Sequence, residues 1–284
     1  MEQRKIAILM DSGGDVPADY RRRWGIYCVP LSIHYKDSSY KDGVDITAEE
    51  IYDRFQQEIP KTSLPSSSEV EQMLEQIWED GYRQVLIINI SSGLSGTMQV
   101  MKAAAEEFGK LEFRMIDTKN IGIGAGFTVM LARELVEQRL EMEEIAERLE
   151  RSVKETKVYF CVSTLEYLRK GGRIGLVSAT LGTMLGIKPV ISCNEDGVYY
   201  TVQKARGRKA SLQCAVRLAA DFAKGHRCRL AVMHGGAPEE AEEVKKELLE
   251  LLPGQQVAVE GQITPVLVVH TGPGLMGIGV QRLD

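Results

Sequence analysis

A chain of 284 residues, 44% apolar and 26% charged, has room for one large or two medium globular domains. Its formal net charge of -5 argues against nucleic acid as the main partner, which asks for a basic face. No apolar run reaches the ~18 residues of an integral membrane segment and no N-terminal stretch reads as a signal peptide, while five cysteines without a C-x-x-C pair fit a reducing, cytoplasmic setting.

Strand and helix signals alternate from the start. Lys5 to Met10 reads as a first strand, and Ile26 to His34 as a second extended segment. Thr47-Ala-Glu-Glu50 is a capping box that opens a helix through about Glu58. Ser66-Ser-Ser-Glu69 opens another, to about Asp80. Val85 to Ile88 is a continuous apolar run, the pattern of a strand buried in a parallel sheet. A helical pattern covers Thr97 to Glu107, a short strand Phe113 to Ile116, and helices Ala125 to Gln138 and Met142 to Thr156. Val158 to Cys161 reads as a strand.

The second half has a different character. Ile187 to Cys193 and Val198 to Lys204 flank Asn194-Glu-Asp-Gly197, a hairpin signal. Arg208 to Lys224 is helical, Leu230 to His234 a strand, and Pro238 to Leu252 a charged helix. Val257 to Gln262 and Val266 to His270 read as strands. The fold class is therefore α/β: a parallel-sheet layer first, then a mixed-sheet α+β unit, meeting between Thr156 and Ser163.

Several loops carry hydroxyls and glycines at strand ends, where open α/β proteins bind ligands. Ile90-Ser-Ser-Gly-Leu-Ser-Gly-Thr97 leads from strand into helix, and amides and glycines there suit an anion or a simple helix cap. Asp11-Ser-Gly-Gly-Asp15 suits turn capping more than metal binding. Lys61-Thr-Ser-Leu-Pro65 adds a hydroxyl pair in a loop. Asp117-Thr-Lys-Asn-Ile-Gly-Ile-Gly124 lacks the third glycine of a dinucleotide fingerprint, and no P-loop occurs. Arg173, in a Gly-Gly-Arg turn, is a structural cation or an anion contact. Lys204-Ala-Arg206 and Arg208-Lys209 read as a helix start, which a cation fits poorly unless it grips a phosphate or an acidic partner. His270 is expected to end a strand at a rigid Gly-Pro-Gly turn, with His234 a secondary candidate. No metal-ligand spacing is present in the sequence.

Taken together the loops resemble the DegV family of bacterial proteins, fatty-acid-binding subunits of a fatty acid kinase. The matching stretches are Asp11-Ser12 with Asp15, Thr62-Ser63 with Pro65, Ser91 to Thr97, Asp117 with Gly122 and Gly124, Thr164 to Leu168, Gly171 to Ile174, Lys188-Pro189, Arg206 and His270 to Gly274. They follow the family's order along nearly the whole chain. Leu64, Met98 and Met101 depart from it, at places where a polar, an aromatic and a small residue are common.

The resemblance implies a Rossmann-like parallel-sheet domain over 1–158 and a smaller mixed-sheet α+β domain over 159–284. It implies one long-chain fatty acid buried between them and no other cofactor. By matched motif Thr62, Ser63, Ser95, Gly96 and His270 hold the carboxyl group, while Arg173 and Arg206 serve the head group or the kinase partner. The protein would present its acid to a separate ATP-dependent kinase, which forms the acyl phosphate, and would make no bond alone. Leu94, Met98, Met101, Ile187 and Met276 are candidate tunnel-lining residues, or plain core. Two rivals remain: a serine-dependent acyl hydrolase using Ser95 and His270, although Gly93-Leu-Ser-Gly-Thr97 breaks the G-x-S-x-G elbow, and a nucleotide or phosphate enzyme using the Gly122 loop.

Overall fold

The computed structural model describes residues 6–177 and 186–283; Lys5, read as the start of the first strand, lies outside them. Its first layer is a four-stranded, fully parallel sheet in the order β2-β1-β6-β7. These strands are β1 (Ile6–Asp11), β2 (Tyr27–Val29), β6 (Gln84–Asn89) and β7 (Glu112–Asp117). Every residue of β6 is buried, because helices cover both faces. On one face α3 (Ser67–Glu79) and α4 (Thr97–Phe108) enclose Leu9, Val85, Ile87, Leu74 and Met101. On the other, α5 (Ile123–Glu137) and α6 (Met142–Lys154) enclose Ile8, Met10, Leu86, Ile88 and Ile116.

Two helices start where their capping boxes predict. In α2 (Ala48–Arg54) the Thr47 hydroxyl accepts Glu50 N–H, and Glu50 reaches back to Thr47 N–H. Ser66 and Glu69 do the same for α3. Each box satisfies two of the orphan donors of a first turn.

The second layer is a six-stranded sheet, β10-β9-β8-β13-β11-β12. It comprises β8 (Thr156–Cys161), β9 (Ile187–Cys193), β10 (Tyr199–Arg206), β11 (Cys228–His234), β12 (Val257–Gln262) and β13 (Met276–Arg282). Its pairings are antiparallel apart from β11 with β12. The Asn194–Gly197 turn closes the β9–β10 hairpin, with Asn194 Oδ1 accepting the N–H groups of Asp196 and Val198. Helices α8 (Arg208–Ala223) and α9 (Pro238–Leu251) cover one face. The other face shares one apolar core with α5 and the first sheet. The remaining elements are the helices α1 (Ala18–Trp24) and α7 (Glu166–Lys170) and a small sheet of β4 (Ser39–Lys41), β3 (Ser32–His34) and β5 (Lys61–Ser63).

Two expectations are overturned here. Val266 to His270 is not a strand: it lies in helix α10 (Pro265–Thr271). The run is apolar because the helix is buried on nearly every side, and periodicity cannot separate such a helix from a strand. Pro265 at its first turn is the start signal. The Gly-Pro-Gly turn after His270 forms as expected, and beyond it Met276–Arg282 is the inner strand β13, which no strand signal marked. Lys204 to Arg206 ends β10 rather than opening a helix; α8 starts at Arg208, whose guanidinium pairs with Glu240. That ion pair accounts for a cation at a helix N-terminus.

Candidate functional site

Helix α10 carries His270 toward strand β5, which was expected to be a loop. Thr62 Oγ1 and His270 Nε2 meet at 2.8 Å, although 208 residues separate them in sequence. Pairing of β5 with β3, Thr62 opposite Ile33, fixes the hydroxyl's side of the small sheet. Helix α10 is itself pinned by buried carboxylates. Asp15 accepts Thr264 N–H at 2.8 Å, and Asp42 accepts Val266 N–H at 2.8 Å. Burial pushes both carboxyls up to about 7. Thus two of the loop carboxylates in the first half hold the first turn of the helix that bears the histidine.

Ser95 approaches from the loop between β6 and α4. Its hydroxyl lies 2.7 Å from Thr97 Oγ1 and accepts Thr97 N–H. Arg173 closes the group: its guanidinium donates to Leu94 O and Gly171 O, tying the turn after α7 to the Ser95 loop. Gly171 packs against the imidazole so closely that a Cβ there would overlap His270 Nδ1. That nitrogen is buried without a hydrogen-bond partner among the described residues. Burial, helped by the Arg173 charge, lowers the His270 pKa to about 4. The imidazole is therefore neutral at ordinary pH, beside a fixed cation and two hydroxyls. Such a set can donate to a carboxylate without placing a second full charge in the interior.

Thr62, Ser95, Arg173 and His270 line one cavity, together with Leu31, Leu64, Ile90 and Leu94. A second space adjoins it, sharing Thr62, Arg173 and His270 and adding Lys61 and Lys170. A further, inner cavity adjoins the first and shares Ile121, Tyr199, Leu267 and Thr271. The inner cavity is walled by Ile123, Val158, Phe160, Met233 and Leu275, with Asp15 as its carboxyl group. Tyr199, at the waist, escaped the sequence reading, because an alternating strand offers several equivalent large residues.

The other candidates fall at different distances. Ser63 also lines the outer cavity, but its hydroxyl is taken by His34 Nε2 at 2.7 Å, on the face opposite Thr62. Gly96 caps α4 next to Ser95. Arg206 is exposed at the end of β10 and lines neither cavity. His234 accepts Ala237 N–H in the turn before α9. Of the lining candidates Leu94 faces the cavity, whereas Met101 packs in the α3–α4 core and Met276 in the α8–α9 core. Met98 and Ile187 are absent from both linings. Ser95 has Thr97 as its hydroxyl partner, and among the described residues no acid stands behind His270 Nδ1, so these residues do not assemble a hydrolase triad. The Gly122 loop is packed internally, with Gly122 N–H donating to Gly13 O. No group of metal-ligating side chains occurs among the described residues.

Fold and site together define an α/β protein of two packed sheets that encloses a mostly apolar cavity headed by hydroxyls, a neutral histidine and an arginine. The chain belongs to the DegV family, whose profile, described as an uncharacterised protein of the DegV family, matches residues 5–283. A DegV domain-containing protein of Clostridium acetobutylicum is 39% identical over 274 residues, covering 96% of this chain and 98% of its own. A solved Thermus thermophilus DegV family protein, described by its fatty acid binding, superposes with a TM-score of 0.92 at 32% identity, covering 98% of this chain and all of the other. A stearic acid-binding protein from Eubacterium ventriosum gives 0.90 at 28% identity, with 98% of each chain covered.

Proposed function

We propose that this protein binds one long-chain fatty acid, with its carboxyl group at Thr62, Ser95 and His270 and its tail directed into the inner cavity. The observation that carries this reading is the adjacency of two cavities that share Ile121, Tyr199, Leu267 and Thr271 as common wall, one polar at its Thr62–His270 end and the other mostly apolar. Fatty-acid binding in relatives of the same fold supports it. Each buried methylene contributes about 0.8 kcal/mol, so the tail dominates affinity and the head group fixes orientation. Ser63 and Gly96 flank the carboxyl site, Ser63 from the rim and Gly96 through the start of α4.

The protein acts as a carrier in a kinase system and makes no bond alone. An ATP-dependent fatty acid kinase phosphorylates the presented carboxyl, with Arg173 beside the head group and Arg206 on the partner's side. Residues 1–158 and 159–284 form the two units, with the lipid between them. The five cysteines are all free, which suits a reducing, cytoplasmic setting. Among the described residues no helix is long and apolar enough to cross a membrane.

Mass spectrometry of organic extracts from the purified protein, beside a blank preparation, tests the reading. A stoichiometric long-chain acid is expected. A protein that is empty and also fails to take up added acids would remove it.

A further inference from the structure

Strand β13 presents Gly277 and Gly279 on one face of the second sheet, between β8 and β11. Glycine inside a strand costs about 0.5–1 kcal/mol against alanine, so each position calls for a cause. Gly279 has one in packing. A Cβ there would stand 2.8 Å from Ile123 Cγ2 and 3.1 Å from Phe127 Cε2, both on α5. Gly277 has no such cause. Its backbone is not left-handed, and a Cβ would meet nothing nearer than 3.7 Å, ordinary contact with Leu275, Met233 and Phe160. The space in front of it is the inner cavity.

Its neighbours sharpen the point. Gly277 is paired with Phe160 on β8 and with Met233 on β11. Cross-strand partners share a face, and both of these line the same cavity. Two large side chains therefore flank a bare stretch of backbone and leave a notch in the wall. A glycine that packing does not demand, facing a cavity, marks a place where something else comes close to the backbone.

We infer that Gly277 sets the length of acyl tail the inner cavity accepts. This rests on the fatty-acid reading above. A tail that enters past Thr62 and His270 passes the Tyr199 waist and runs toward the notch. A side chain at 277 takes the room of its last methylenes and leaves the carboxyl contacts unaltered. Each excluded methylene weakens binding about fourfold.

The test is calorimetric titration of saturated acids, from decanoic to eicosanoic, into the wild-type protein, Gly277→Ala and Gly277→Val. Valine favours a strand, and alanine adds one methyl group if valine disturbs the fold. Short acids should bind the valine variant as they bind the wild type. The longest should bind it about tenfold or more weakly, which moves the preferred length downward, with alanine shifted less in the same direction. An unchanged length profile in both variants, or equal loss at every length in a folded protein, overturns the inference alone. A wild-type protein that binds no acid of any length overturns the fatty-acid reading and the inference with it.

Discussion

At the scale of single residues, the site depends on one proton. His270 is neutral because burial and the Arg173 charge hold its pKa near 4. A carboxylate at Nε2 supplies the opposite charge and favours the imidazolium, so ligand binding should raise that pKa. Histidine-resolved NMR titration checks this: the ring should stay neutral to below pH 5 in the empty protein and titrate at higher pH once an acid is bound. An unmoved titration would place the carboxyl elsewhere. His270→Ala removes a donor to a charged group, worth about 1.5–3 kcal/mol, so acid binding should weaken roughly 10- to 100-fold. Thr62→Val removes a hydroxyl at nearly constant volume and should weaken binding in the same direction, both read by calorimetry. The sequence exposed these side chains as separate hydroxyl-rich or glycine-rich turns. It could not show that Thr62 and His270 touch, since no local pattern spans 208 residues. It also gave no sign that Ser63 would turn to His34.

At the scale of elements, caps were legible and buried runs were not. Thr47 with Glu50 and Ser66 with Glu69 fixed two helix starts, because a cap is a contact between near neighbours. Helix α10 hid behind a run of valines, and β13 behind its glycines, because in both the tertiary surroundings outweigh local preference. The carboxylates that pin α10 also predict a pH dependence. Asp15 stands near 7 in the fold, above its ordinary 3.8. Between those values the folded protein keeps a proton that the unfolded chain has released. The contribution of Asp15 to stability is therefore greatest below about pH 4 and declines as pH rises toward 7. Asp42 has the same sign. His270, whose pKa is depressed, has the opposite one and loses its contribution as pH falls below about 6.5. Asp15→Asn keeps an oxygen for Thr264 N–H but cannot ionise. The melting temperature of Asp15→Asn relative to wild type should rise steadily from pH 4 to 7, and a constant difference across that range would show that Asp15 does not titrate there.

At the scale of the whole molecule, α5 packs between the two sheets, and loops of the first layer face the second sheet across the cavities. The alternation of strands and helices foretold both sheets, but their shared core is a property of the assembled chain. The β9–β10 hairpin makes the link concrete. At its turn Gly197 O accepts the Ser91 hydroxyl at 2.8 Å, beside the loop that carries Ser95. Near the start of β10, Tyr199 walls both cavities, and at its end Arg206 is exposed. One strand thus runs from the proposed lipid site to the surface proposed for the kinase. This separation allows two roles to be measured apart. Arg206→Ala leaves every lining residue in place, so the dissociation constant for the fatty acid should not change. A surface charge at an encounter face acts mainly on association rate and its salt dependence. In a coupled assay with the kinase, the half-saturating kinase concentration should therefore rise several-fold at low salt, and less at high salt, where screening has already weakened the wild-type contact. His270→Ala should show the reverse pattern, weak lipid binding with little change in kinase saturation once the acid is in excess. If Arg206→Ala leaves kinase saturation untouched at low salt, or lowers lipid affinity as His270→Ala does, then Arg206 does not serve the partner and that surface must be sought elsewhere on the molecule.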